Sequence, residues 1–154
     1  MKELDHKLMI ENSFTYKGFP CVVKFVPYGF RCGYVGIPKD NPLYEIDPKI
    51  FECEIKCHGG ISYIDNKLLG DDREDILWIG FDCGHAGDGY DLMLAWERYN
   101  MVSGFDISRE ALEHFITHTS DVTASCKPKS LDYVNTECER IVDQLIFMMK
   151  RYES

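Results

Sequence analysis

Residues 130–149 read SLDYVNTECERIVDQLIFMM, and this stretch decides half of the fold. Its apolar side chains recur at Val134, Cys138, Ile141, Val142, Leu145 and Met149, the three-and-four spacing of a helix with one buried stripe. Ser130 stands where a capping hydroxyl belongs, and Lys150 and Arg151 close the last turn, where cations suit the helix dipole. Glu137 flanks the stripe, so its carboxylate needs a partner or an opening onto a cavity. The other half lies in Leu77-Trp78-Ile79-Gly80-Phe81-Asp82-Cys83. A strand alternates its faces with a period of two, which turns Leu77, Ile79, Phe81 and Cys83 inward and Trp78, Gly80 and Asp82 to the other side.

Upstream, residues 12–16, 21–26 and 30–37 are short aromatic and β-branched runs. Lys17-Gly18 and Pro27-Tyr28-Gly29 separate them with turn chemistry, so they read as an antiparallel meander. Residues 38–42 break the sheet with two prolines, and a loop follows to about residue 49. Residues 51–57 alternate again, with Phe51, Cys53, Ile55 and Cys57 on one side. That pattern predicts a further strand whose cysteines point inward, and it places His58 on the side of Trp78 and Asp82. A charged loop covers 71–75. Short helices are expected over 90–99 and over 108–118, the latter capped by Ser108, and 119–129 is polar loop. The fold class is α+β: an antiparallel sheet with a long C-terminal helix packed on one face. One domain is expected over 1–154, with about 101–129 as an insertion.

Composition narrows the function classes. A chain of 154 residues buries roughly 70% of its unfolded surface, enough to fold without a metal or disulfide. The formal charge of −9 opposes broad nucleic-acid binding, which needs a basic surface to displace counterions. No apolar run approaches a membrane span, and the charged residues 1–7 do not resemble a secretion signal, so a cytoplasmic protein is expected. Seven cysteines, none in a CxxC pair, read as free thiols in a reducing compartment.

Two constellations could carry chemistry. In His58-Gly59-Gly60-Ile61-Ser62-Tyr63 the glycines let backbone N–H groups approach a ligand, and the imidazole can donate, accept or ligate a metal. A plain Gly-Gly turn with a solvated histidine is the simpler alternative. In residues 78–91, Asp82, His85, Asp88 and Asp91 are spaced by threes on a segment with three glycines between 84 and 89. His58, Asp82, His85 and Asp88 could therefore hold a cation for metal-assisted hydrolysis. The same glycines could instead form an anion nest, with Trp78 as a stacking face, or the aspartates could simply cap their own loop. Arg31 could clamp a phosphate or make a surface ion pair. His114 and His118, one turn apart, read as surface histidines. A Cys57–His58 thiol dyad is rejected, because neighbours on a strand point to opposite faces.

The segments 31–38, 58–63 and 78–88, with Asp132-Tyr133-Val134-Asn135-Thr136-Glu137-Cys138, resemble a widespread group of small phage and prophage proteins. The likeness spans most of residues 20–150. It implies a counter-defence role in the host cytoplasm, of the anti-CBASS or anti-Thoeris kind: a homo-oligomer that sequesters a cyclic nucleotide immune signal without cleaving it or needing a cofactor. Carried onto this chain, the pocket would comprise Arg31, His58, Gly59, Gly60, Tyr63, Trp78, His85 and Glu137. Against that non-enzymatic binder stand the metal-dependent hydrolase and, third, a protein-binding inhibitor of a host factor.

Overall fold

A computed structural model describes residues 9–66, 68, 75–85, 87–100, 107–118 and 127–152. Five strands form one antiparallel sheet in the order β1-β2-β3-β5-β4: β1 (Ile10–Tyr16), β2 (Phe19–Phe25), β3 (Arg31–Pro38), β4 (Tyr63–Asp65) and β5 (Ile76–Asp82). Among the described residues four helices of seven residues or more accompany them: α1 (Pro48–Glu54), α2 (Leu92–Tyr99), α3 (Arg109–His118) and α4 (Leu131–Tyr152). The β1–β2 hairpin closes on Lys17 and Gly18, at φ +49° and +87°. This pair of left-handed residues matches the twist of the flanking strands.

The α+β class is the one expected, and the long C-terminal helix lies on one face of the sheet. Val134, Cys138, Ile141, Val142 and Leu145 of α4 are fully buried against Cys21, Val23, Val35, Ile79 and Phe81. Ser130 caps α4 through a hydrogen bond from the Tyr133 N–H of 3.1 Å. On the opposite face Val22, Leu68 and Trp78 make a second, smaller cluster with Tyr34 and Tyr63 packed beside it. The apolar layer on this side explains why Trp78 is buried there rather than offered to solvent.

Residues 51–57 are not a strand. Phe51 belongs to α1, and Cys53 is exposed while Cys57 is half-buried, so neither follows the inward reading. Asp47 accepts from the Lys49 N–H and Pro48 occupies the first helical turn, the pairing that starts a helix. Phe51 and Ile55, four residues apart, satisfy the same hydrophobic demand on a helix face as on a strand, and both are buried. The short strand β4 instead pairs with β5 at the sheet edge.

The expected insertion and loops fall partly on residues 101–106, 119–126 and 71–74, outside the described residues, as do Cys126 and residues 1–7. Residues 109–118 form the expected helix α3. The described cysteines are free thiols. No helix among the described residues is long and apolar enough to cross a membrane.

Candidate functional site

The chain reaches His58 from α1 under the grip of α4. Gln144 accepts from the Lys56 N–H at 2.7 Å and donates to the Lys56 carbonyl at 2.8 Å, so one amide side chain fixes both backbone groups of that residue. Two residues on, the His58 N–H donates to Glu137 Oε2 at 2.8 Å. Glu137 is buried and pairs through its other oxygen with Arg140. The carboxylate on the helix flank thus has partners on both sides, as a buried charge requires. The turn then closes through Gly59 and Gly60, at φ +69° and +81°.

The second element is the loop leaving β5. Asp82 Oδ1 accepts from the Gly84 N–H at 3.0 Å and its Oδ2 from the Ser62 hydroxyl at 3.2 Å. The Asp88 N–H donates to the His85 carbonyl at 2.9 Å, and Asp88 Oδ2 accepts from the His85 N–H at 3.1 Å. This pair of bonds folds the Gly-rich segment back on itself and aims the Asp88 carboxylate at both histidines. His58 Nε2 lies 2.9 Å and His85 Nδ1 3.2 Å from that same Oδ2. The imidazole rings stand 5.7 Å apart, and a Cβ built on Gly59 would collide with the His85 ring. Glycine is required at 59 both by its backbone angle and by this approach.

His58 and the loop after Asp82 converge, as their sequence pattern predicts. They meet beside α4, however, and not on the Trp78 side of the sheet, because His58 follows a helix rather than a strand. Helix α4 also supplies a residue that sequence reasoning missed. Tyr133 Oη lies 2.9 Å from His58 Nδ1, with its ring edge-on to the imidazole. The signal was present, since Tyr133 sits one helical turn before Glu137 and therefore on the same side of α4.

Electrostatics follow from these contacts. Burial raises the Asp88 pKa, but the His58 ring and the N–H and ring of His85 outweigh it and hold the carboxyl below its usual value. The Tyr133 hydroxyl is pushed up, first by burial and then by Glu137, Cys83 and Asp88. Burial drives the Cys83 thiol to about 12 and the Cys57 thiol to about 11, so neither is a nucleophile at neutral pH.

His58, His85 and Asp88 each offer one ligand atom within 4.8 Å of the others, a spacing compatible with a shared metal ion. Ligand atoms adjacent around an ion with bonds of about 2.1 Å stand roughly 3 Å apart, comparable to the two contacts at Asp88 Oδ2. Asp82 lies one step out, its Oδ1 3.7 Å from His85 Nε2. The His85 side chain is 43% exposed, which leaves this side accessible to water and a ligand.

Other expected pocket residues are placed elsewhere. The Arg31 guanidinium is taken up by Glu11 through Nε (2.5 Å) and Nη2 (3.0 Å), and by the Lys129 carbonyl at 2.9 Å. Arg98 shares the same Glu11 at 2.9 Å. Arg31 is therefore a structural tie and is not brought to the histidines. Trp78 is 5% exposed and does not present a stacking face. Tyr63 lies edge-on to Tyr34, 5.3 Å between centroids, on the face away from α4. His114 and His118 are exposed, with stacked rings 4.1 Å apart. Comparison with protein-family models, curated proteins and solved structures finds no match.

Proposed function

We propose that His58, His85 and Asp88 form a divalent-cation centre and that the protein is a metal-dependent hydrolase. The observation that carries this reading is one carboxylate oxygen, Asp88 Oδ2, within 3.2 Å of a ring nitrogen of each histidine at an accessible edge. Three protein ligands and an open side are the composition of catalytic rather than purely structural metal sites. An ion there would lower the pKa of a bound water and polarise a phosphoryl or carbonyl oxygen, leaving the phosphorus or carbon beside that oxygen open to the water's attack. Tyr133 on the far nitrogen of His58 fixes the ring, the task that outer partners of metal-bound histidines perform. Glu137 fixes the backbone of the same residue.

The resemblance to phage proteins implies a cyclic nucleotide sequestered without cleavage, with Arg31 and Trp78 among its pocket residues. With Arg31 committed to Glu11 and carboxylates at positions 82, 88 and 137 around the histidines, a phosphate would need a cation between itself and this site. One observation favours sequestration without cleavage: both oxygens of Glu137 are engaged, so it is not poised as a general base. Cation-bridged capture is therefore the second reading.

Titrating Mn2+ or Zn2+ into the purified protein by calorimetry tests the centre. One equivalent should bind, and His58→Ala and Asp88→Asn should each abolish binding; a wild-type chain that takes up no metal refutes the proposal. Incubating the loaded protein with cyclic di- and trinucleotides, then denaturing it and analysing the released material, separates the two readings. Cleaved product supports hydrolysis, and intact retained ligand supports capture.

A further inference from the structure

On the face of the sheet away from α4 lies a hollow of about 460 Å³, within the range of small-ligand pockets. Rings of Tyr28, Phe30, Tyr34 and Tyr63 line it, over an apolar base that includes Val26 and Cys32. Tyr28 and Phe30 are stacked on each other, centroids 6.1 Å apart, and Tyr28 is 55% exposed, so the wall is open to an entering ligand. Besides the tyrosine hydroxyls, its polar side chains are Ser62 and Asp82, bonded to each other at 3.2 Å.

Asp82 connects this hollow to the histidine centre. It ends β5 on the hollow's face, opposite Cys32 in register, and its other oxygen points to His85 Nε2 at 3.7 Å. An apolar slot with several aromatic walls favours a flat ring, since every planar π-system can stack on such walls. Asp82, the one carboxylate in this lining, favours a ring that carries N–H donors, because an ionised carboxylate only accepts. From these features we infer that the ligand is a nucleotide: its base sits among Tyr28, Phe30, Tyr34 and Tyr63, its amino or imino N–H groups meet Asp82, and its phosphate reaches the cation held by His58, His85 and Asp88. The phosphate half of this inference rests on the proposed metal centre; the base half rests on the hollow alone.

The two halves are tested with separate probes. Binding of Mn2+, adenosine, adenosine 5′-monophosphate and ribose 5-phosphate is measured by calorimetry and tyrosine fluorescence on wild type, Tyr28→Ala, Tyr63→Leu and His58→Ala. The Mn2+-loaded wild type should bind the nucleotide at least tenfold more tightly than ribose 5-phosphate. Tyr28→Ala and Tyr63→Leu should erase that preference while still binding Mn2+, and His58→Ala should lose Mn2+ yet still bind adenosine. Equal affinity for nucleotide and sugar phosphate, or no response to adenosine, overturns the inference and leaves the metal centre standing. Adenosine binding that depends on Tyr28, without Mn2+ uptake by wild type, upholds the base site and refutes the metal centre.

Discussion

Replacing Gly59 by alanine adds one methyl group against the ring of His85, and Gly60→Ala is its built-in control. Both glycines have positive φ, +69° and +81°, so either substitution forces an L residue into the left-handed region. That strain costs about 1–2 kcal/mol and lowers the melting temperature by about 2–4 °C per kcal/mol in a domain of this size. The surroundings differ sharply. Nothing lies within 4 Å of a Cβ at 60, whereas a Cβ at 59 meets three ring atoms of His85 at 3.0 Å or less. Ordinary carbon contacts need about 3.5–4 Å, so the ring must retreat by roughly 1 Å. His85 is substantially exposed and sits on a loop, so the side chain gives way and the backbone stays. The two variants should therefore melt at similar temperatures, yet Gly59→Ala should bind Mn2+ at least tenfold more weakly than Gly60→Ala, as expected when a ligand is held out of position. Calorimetric titration beside a thermal melt measures both quantities. Equal metal affinity in the two variants would refute the argument that His85 belongs to the centre.

Glu137→Ala leaves the part-buried His58 N–H without its acceptor and should cost about 1–3 kcal/mol in denaturant unfolding, with Glu137→Gln losing clearly less because an amide oxygen can still accept. Glu11 gives a pH signature. Burial raises its pKa, but Arg31 and Arg98 more than offset this and hold it below the usual 4.5. Its contribution to stability is present above that value and fades as pH falls through the lowered one. Thermal melts from about pH 6 down to pH 3 should show a shallower acid decline for Glu11→Gln than for wild type. Among the described cysteines, the exposed Cys53 should be alkylated first by iodoacetamide at neutral pH. Cys21, Cys32 and Cys83, buried and pushed up to about 12, should label only after denaturation, as peptide mass spectrometry would record.

The parts of the fold legible in sequence are those where one pattern had one solution. The stripe from Val134 to Met149 fits a helix and no strand, and the alternation of 77–83 fits a strand between a charged loop and a Gly-rich segment. Residues 51–57 were ambiguous because Phe51 and Ile55 are spaced for either element. The Asp47-Pro48 start signal outweighs the alternation, and the helix it begins delivers His58 to the α4 side of the sheet. The burial of Trp78 is hidden from sequence for a related reason: alternation names two faces but does not say whether the second is dry, and Val22 and Leu68 cover it. Within the site, His58, His85, Asp82 and Asp88 could be named because few side chains ligate metals. Arg31 could not be assigned, since its partner Glu11 lies twenty residues away in sequence and only the strand pairing brings them together.

The histidine loop and the aspartate it meets are thirty residues apart, and the glutamate behind them belongs to yet another segment. No unfolded chain presents these groups together, so an ion seated there would clasp the native form alone. By mass action, a free ion concentration a hundredfold above the dissociation constant adds about 2.7 kcal/mol, worth roughly 5–10 °C of melting temperature. Resistance to heat would then rise and fall with the supply of cation, tying the persistence of the folded protein to the ionic content of its surroundings.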